Sequence, residues 1–571
     1  MIWDVARKMR LPAGLSACWL HSLLRLTFSV LSVAGTGCTQ YATVSQTKPM
    51  FRPVRALAGA LGSVQQSLQK ARGEEQRAPR VALGEYLTAA EASQRELLAH
   101  PDDTGARDAY NFAVARVLGL LQDAKLDPWT KPLNVPSASG GFVLTSKPDR
   151  RPQWNPILYT FTPADQFDVK GSYVTKRNTK EGVGAPSVAV GRSINENAAN
   201  DFAIPRVFYG VTAMIRFSGR TAVIAFEDPL ATETVEIDRH QFPLAADFTV
   251  PLAVLLASAK PQKMELSRLL HPAEYAETAR ISRLEPYDPK KTVVLVVHGL
   301  MDSPATWTPM INELRSHPAI RRNYQFWFYS YPSGYPYPYS AAILRHNLDS
   351  IEKRYPLGNR KMVVIGHSMG GCITRLLITD AEEKIWMSLF KKMPDKVSLS
   401  PESRKLLTDA LIFKHRSEIG RVIFISAPLR GSQLASNWLG RVGARLITAP
   451  KMFLSIGQDA LSVSTFQHED LKLNRIPNSV DTLAPNNRFV KAVNAIPLYS
   501  GIPYHVICGD RGRGGNRDKT PPVMSDGFVP YWSSHLEGAQ SELIVPSGHS
   551  SHQNQQTIGE VLRILEVHSG Q

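Results

Sequence analysis

Four cysteines in 571 residues, at positions 18, 38, 372 and 508, are too few for a disulfide framework. Cys372 and Cys508 fall inside apolar segments, where a thiol behaves as a small buried hydrophobe. No zinc-ligand spacing and no phosphate-cradling glycine loop occurs, so neither a metal nor a nucleotide cofactor is expected. Basic residues are in excess, with a net charge of +16 and a pI near 9.6, yet they never form one dense run. That scatter reads as a solvated surface, and without an RNA or DNA motif beside it no nucleic-acid partner is expected. Uninterrupted apolar stretches are all too short to span a bilayer as a mature helix.

What is present is an ordinary globular composition, 43% hydrophobic and 20% charged, in a chain too long for a single core. Several domains are expected.

The amino terminus carries Arg7, Lys8 and Arg10, then an apolar stretch broken by Arg25, then residues 26–34 and Gly35-Thr36-Gly37-Cys38. Positive charge, a short apolar core and small residues in that order predict an export signal over 1–38, with Met9 as an alternative start. The last four residues resemble the cleavage box of bacterial lipoproteins, in which the cysteine becomes the lipidated first residue. Gly35 departs from that family's usual leucine. The resemblance implies membrane association through Cys38. Thr39 and Gln40 supply no aspartate, which by the same likeness implies sorting to the outer membrane. A plain cleaved signal and a periplasmic product is the alternative.

Residues 39–135 are expected to form a helical region, because 80–99 and 104–124 alternate apolar and polar residues at helical spacing around the breaker His100-Pro-Asp-Asp-Thr104. A single helical pair cannot bury a solenoid face, so it is expected to dock on the rest of the chain. Residues 136–260 change to short β-rich runs, with a hairpin predicted from Ala213–Phe217 and Thr221–Phe226 around Ser218-Gly219-Arg220, and suggest a small antiparallel domain. Residues 261–291, with Pro261, Pro272, Pro286 and Pro289, read as a linker.

From 292 to 571 strands and helices alternate as an open, mostly parallel sheet requires. VVLVVHGL at 293–300 and MVVIG at 362–366 are continuous apolar runs, the pattern of strands covered on both faces. The second run leads into Gly366-His367-Ser368-Met369-Gly370, a tight strand-to-helix turn that presents Ser368 alone. Later come Ser426-Ala-Pro-Leu-Arg-Gly-Ser432, Ser525-Asp526-Gly527-Phe-Val-Pro530 and Gly548-His549.

Four segments, His298-Gly299-Leu300, the Gly366–Gly370 turn, Ser426–Ser432, and Ser525–Pro530 followed by Gly548-His549, together resemble the α/β-hydrolase family, and within it the lipase and esterase branch, over about 285–571. A lone GxSxG is a weak signal, whereas four family segments in family order are a strong one. The resemblance implies a doubly wound sheet and the roles of nucleophile for Ser368, base for His549 and acid for Asp526. It also implies that the backbone N–H groups of Leu300 and Met369 form the oxyanion hole. Chemistry requires such a set: a serine hydroxyl is a poor nucleophile at neutral pH without an imidazole to take its proton, and the imidazole needs a carboxylate to fix its tautomer.

Competitors stay open at this point. His552 lies three residues beyond His549, and Asp510, beside Arg511 and Arg513, rivals Asp526. His298 and His367 read as structural. Residues 381–420 are an insertion, either a lid or a fixed helical cap. The aromatic run Tyr329–Tyr339 either lines an acyl pocket, the reading preferred here, or stiffens a loop with its prolines.

The expected activity is cofactor-free hydrolysis of a carboxylic ester, on a lipid or another apolar acyl substrate, through an acyl-serine intermediate. Acyl transfer, amide cleavage or a non-enzymatic envelope scaffold bound through residues 39–280 are the alternatives.

Overall fold

The computed structural model describes residues 41–570 apart from 53–59, 139, 148–154, 193–201, 205–207, 261–263, 356, 358–359, 434–446, 448–477 and 513–524. The expected export signal, Cys18 and Cys38 therefore lie outside the described residues.

Strand β1 (Thr43–Gln46) precedes three helices, α1 (Ala60–Glu74), α2 (Pro79–Ala99) and α3 (Thr104–Asp123). Proline opens α2 where its missing N–H costs nothing, and the Asp103 carboxylate caps α3 by accepting the Ala106 N–H at 3.0 Å. A sheet follows, built from β2 (Leu133–Val135), β3 (Phe142–Ser146), β4 (Tyr159–Pro163), β6 (Ala185–Gly191), β7 (Phe208–Ser218) and β8 (Thr221–Glu227) in the order β2-β3-β8-β7-β6-β4. Strand β5 (Phe167–Lys170) pairs instead with β1.

Leu83, Leu87, Ala109, Ala113 and Val117 of the helices share one apolar core with Leu144, Ala213, Ile215 and Ile224 of the sheet. The Tyr110 hydroxyl, buried between them, donates to the Ile215 carbonyl at 2.6 Å and accepts its N–H at 3.0 Å. The hairpin pairs Ala213 with Phe226 and turns at Ser218 and Thr221. Two features depart from the sequence reading. Helix α1 arises in a stretch that reads as polar, because it buries only Val64, Leu68 and Ala71. The sheet is not purely antiparallel, since β3 runs parallel to β8, a pairing between segments far apart in the chain that local alternation does not encode.

Helices α4 (Val250–Ala259) and α5 (Glu265–Leu270) lead to the second sheet. Its strands are β9 (Arg280–Arg283), β10 (Thr292–Val297), β11 (Tyr324–Ser330), β12 (Met362–His367), β13 (Ile419–Ile425), β14 (Tyr504–Asp510) and β15 (Ser541–Pro546), in the order β9-β11-β10-β12-β13-β14-β15. All neighbours are parallel except β9, which pairs antiparallel with β11. The segment expected to be a linker thus contributes α5 and an edge strand. Only Ile281 of β9 is buried, too little alternation to announce a strand.

Each central strand feeds two cores. Val293, Leu295 and Val297 of β10 point to one face, among Leu344, Leu348 and Trp386, while Val294 and Val296 point to the other, among Met310, Ile311 and Ile558. Burying an aliphatic side chain of this size contributes about 1.5–3 kcal/mol, so the alternation fixes the register strongly. The two halves of the chain meet through polar contacts. Asn312 Nδ2 donates to the Lys176 carbonyl, its backbone carbonyl accepts from Asn178, and its Oδ1 accepts the Thr249 hydroxyl at 2.7 Å. Arg321 grips Glu233 at 2.9 Å through two nitrogens. Among the described residues, no helix is long and apolar enough to cross a membrane.

Candidate active site

Strand β12 ends in a turn that throws Ser368 into a backbone conformation L-residues rarely adopt, φ 53° and ψ −127°. Helix α6 (Met369–Arg375) starts at once after it. Gly370 is required at the close approach between this helix and β10, because a Cβ there would sit 2.2 Å from the Val297 carbonyl oxygen and 2.4 Å from that of His298. The strain is maintained by packing and leaves the serine side chain pointing at the carboxyl edge of the sheet, where ligands bind in such folds.

Three side chains from distant loops meet there. The His549 Nε2 lies 2.8 Å from Ser368 Oγ, and its Nδ1 lies 2.7 Å from Asp526 Oδ2. The other oxygen of Asp526 accepts the backbone N–H groups of Phe528 and Val529 at 2.8 and 2.7 Å. Burial raises the Asp526 pKa, but the hydrogen bond from His549, its charge and the two amides outweigh burial, so the group stays below its ordinary value and ionised. An ionised Asp526 accepts a hydrogen bond from the Nδ1–H of His549, which leaves Nε2 free to accept from the serine hydroxyl.

The competitors are placed elsewhere. His552 is buried, with Nε2 3.1 Å from Thr306 Oγ1 and its ring 4.9 Å from that of Trp307. Asp510 ends β14 and accepts the Gly512 N–H at 2.9 Å. His298 holds its own loop: Nδ1 donates to the Gly299 carbonyl at 2.9 Å and Nε2 accepts the Tyr331 N–H at 3.3 Å. Burial lowers its pKa to about 4, keeping it neutral.

The candidate oxyanion residues flank the serine. Gly299, immediately before Leu300, packs so tightly on Ser368 that an added Cβ would come within 2.9 Å of the serine Cβ. Met369 is fully buried and Leu300 half-buried. Segment 426–432 braces the acid loop, with the Ser432 hydroxyl donating to the Phe528 carbonyl at 2.6 Å and Arg430 to the Trp532 carbonyl at 2.8 Å.

One sequence expectation changes, and one open choice gains an observation. Tyr329, Tyr331 and Tyr337 belong to the main core instead of lining an acyl pocket; Tyr331 stacks on His298 at 4.3 Å and donates its hydroxyl to the His298 carbonyl at 2.7 Å. Their rings are buried because β11 and the following helix enclose them. The insertion 381–420 forms helices α7 (Lys384–Phe390) and α8 (Pro401–Leu411), and buries Ile385, Trp386 and Phe390 in the same core, as the cap reading requires. Cys372 and Cys508 are both buried, and burial pushes the Cys372 thiol up to about 12.

Sequence reasoning left unassigned the one cluster among the described residues with the donor set of a metal site, Asp302, His367 and His552, whose candidate ligand atoms lie within 4.8 Å of one another. A tetrahedral zinc ion with bonds of about 2.0–2.1 Å needs ligand atoms roughly 3.4 Å apart. The His367 Nδ1 and the Asp302 Oδ2 stand 3.6 Å apart.

Residues 293–561 match the model of the alpha/beta hydrolase family. No curated protein matches the chain in sequence. Similar solved structures include a mature lipase of Bacillus licheniformis, 17% identical with a TM-score of 0.31, covering 50% of this chain and 98% of that one. EstA of Clostridium botulinum is 13% identical with a TM-score of 0.29 over 49% of this chain and 86% of that one. Esterase B of Lactobacillus rhamnosis, solved with a tributyrin phosphonate inhibitor, is 13% identical with a TM-score of 0.29 over 57% and 96%. The seven-stranded sheet and the strained serine turn, together with that match, give the C-terminal half of the chain the alpha/beta-hydrolase fold.

Proposed function

We propose that the protein hydrolyses carboxylic esters through an acyl-serine intermediate on Ser368. The observation that carries this reading is the unbroken line from Ser368 Oγ to His549 and on to Asp526, at 2.8 and 2.7 Å. In the first half-reaction Oγ attacks the acyl carbon as Nε2 takes its proton, and the imidazolium, steadied by Asp526, then protonates the leaving alcohol. Water repeats the sequence to release the acid. The backbone N–H groups of Leu300 and Met369 receive the oxyanion, and losing one such donor typically costs about 10²–10³ in rate.

Exposed apolar side chains support an apolar acyl substrate. Phe528 is 47% exposed with its ring 5.1 Å from that of His549, and Met301, next to Leu300, is 49% exposed. A lipidated Cys38 in the bacterial envelope would hold such a site near lipid, and that placement is part of the proposal. Ser368→Ala is expected to reduce turnover of a short p-nitrophenyl ester by at least about 10³-fold, to near background. Full activity in this variant refutes the nucleophile. Acyl transfer or amide cleavage on the same residues would appear in product analysis with competing alcohols and amines. A scaffold role for residues 39–280 without catalysis would appear as failure of a fluorophosphonate to label Ser368.

A further inference from the structure

The residue preceding the nucleophile touches more of the site than its neighbour does. His367 is the last residue of β12 and is 4% exposed. Its Nε2 lies 2.8 Å from the backbone carbonyl oxygen of His549. A carbonyl can only accept, so Nε2 carries a proton and donates it. On the other side of the ring, Nδ1 faces Asp302 Oδ2 at 3.6 Å. The carboxylate of Asp302 in turn accepts the Ser303 N–H at 2.7 Å through Oδ1 and the Gly299 N–H at 3.4 Å through Oδ2. Gly299 is the residue packed on Ser368, directly before the candidate oxyanion donor Leu300.

Asp302 and His367 thus link three loops that have no local reason to stay in register: the elbow, the oxyanion loop and the histidine loop. Asp526 fixes the His549 ring through Nδ1, but a ring fixed at one nitrogen can still move with its backbone. The His549 side chain is 23% exposed, so packing alone does not immobilise it. Asp302 is suited to the central role. Its burial raises its pKa, yet the imidazoles gathered around it, His367 first at 3.6 Å, outweigh burial and hold it well below the usual carboxylate range.

We infer that His367, oriented by Asp302, is a positioning residue that fixes the main chain of His549 and so sets the reach of Nε2 to the Ser368 hydroxyl. It touches neither substrate nor the transferred proton. Displacing a general base by about 1 Å can cost about 10²-fold in rate with the binding surface intact, so the signature is a loss in kcat with KM unchanged.

The inference rests on Ser368 and His549 being the reacting pair, and the test separates the two claims. His367→Gln places an amide N–H where Nε2 was, whereas His367→Asn places one only where Nδ1 was. Rates per folded molecule are measured for both with a p-nitrophenyl ester, alongside the rate of fluorophosphonate labelling. Asparagine is expected to lower kcat and the labelling rate by about 10–100-fold with KM within about twofold, and glutamine to recover most of the loss. Equal losses in the two variants, a change confined to KM, or wild-type kinetics in the asparagine variant overturn the inference. Should His367→Asn fail to fold, Asp302→Asn is read in the same way: a fall in kcat at constant KM supports the role and wild-type kinetics overturn it. Ser368→Ala is run beside them. Activity surviving there removes the nucleophile itself, while a silent Ser368→Ala with an unimpaired His367→Asn removes only the role of His367.

Discussion

Asp526 is fully buried, and its two oxygens act on different partners, since one faces Nδ1 of His549 at 2.7 Å while the other ties down the turn that follows it. Asp526→Asn keeps the shape but presents an amide where an acceptor is needed, which favours the wrong tautomer of His549. A fall in kcat of about 10³–10⁴-fold is expected, with the rate at high pH partly restored. Asp510→Asn, at the end of the neighbouring strand, is expected to leave kcat within about threefold. A reversed ranking of the two variants in steady-state assays would move the acid to Asp510.

A second prediction concerns acid stability. His505 accepts from Arg421 Nη1 through Nε2 at 2.8 Å and donates to Ser541 through Nδ1 at 2.8 Å. Burial first, and then the charge of Arg421, lowers its pKa from 6.5 to about 4. Between those values the unfolded chain binds the proton and the folded chain does not, so stability is complete above about pH 6.5 and declines as pH falls toward 4. His505→Gln keeps an acceptor for Arg421 without titrating. Its melting temperature is expected to fall less than that of the wild type between pH 7 and pH 5; parallel curves would show that His505 contributes nothing to the slope.

Gly370→Ala tests the close approach of α6 to β10. The added methyl meets two backbone carbonyl oxygens that cannot move without disrupting the central strand, and overpacking of this kind costs about 3 kcal/mol or more. Expected is loss of soluble protein, or a melting temperature lowered by several degrees. Unchanged melting would mean that the helix shifts freely, and the strained serine turn would then need another explanation.

How much of this was readable in the chain depends on range. Ser368 stands between glycines at the end of an apolar run, and Asp526 and His549 follow in turns whose local chemistry marks them. The parallel order of the second sheet was legible because its strands alternate with helices and are apolar throughout. Strand β9 was not, because four residues with one buried side chain, set among prolines, carry no periodic signal. The contact from His367 to the His549 carbonyl was also hidden, since it joins a side chain to a backbone atom 182 positions away and makes no demand on residue type at the acceptor. The tyrosines of 329–339 misled for a different reason: aromatic rings suit a pocket wall and a packed core equally, and only the enclosing helices decide.

Strand β9 has one more implication. It covers Trp327, Phe328, Tyr329 and Ser330 of β11 on the side opposite β10. Without it, the amides and carbonyls of that aromatic segment would line an open sheet margin, a template on which other copies could add themselves strand by strand. A shortened chain that begins at residue 292, where the hydrolase pattern starts, would therefore be prone to self-association even with every reacting group intact. A chain shortened so as to keep that edge covered would have to retain residues 280–283.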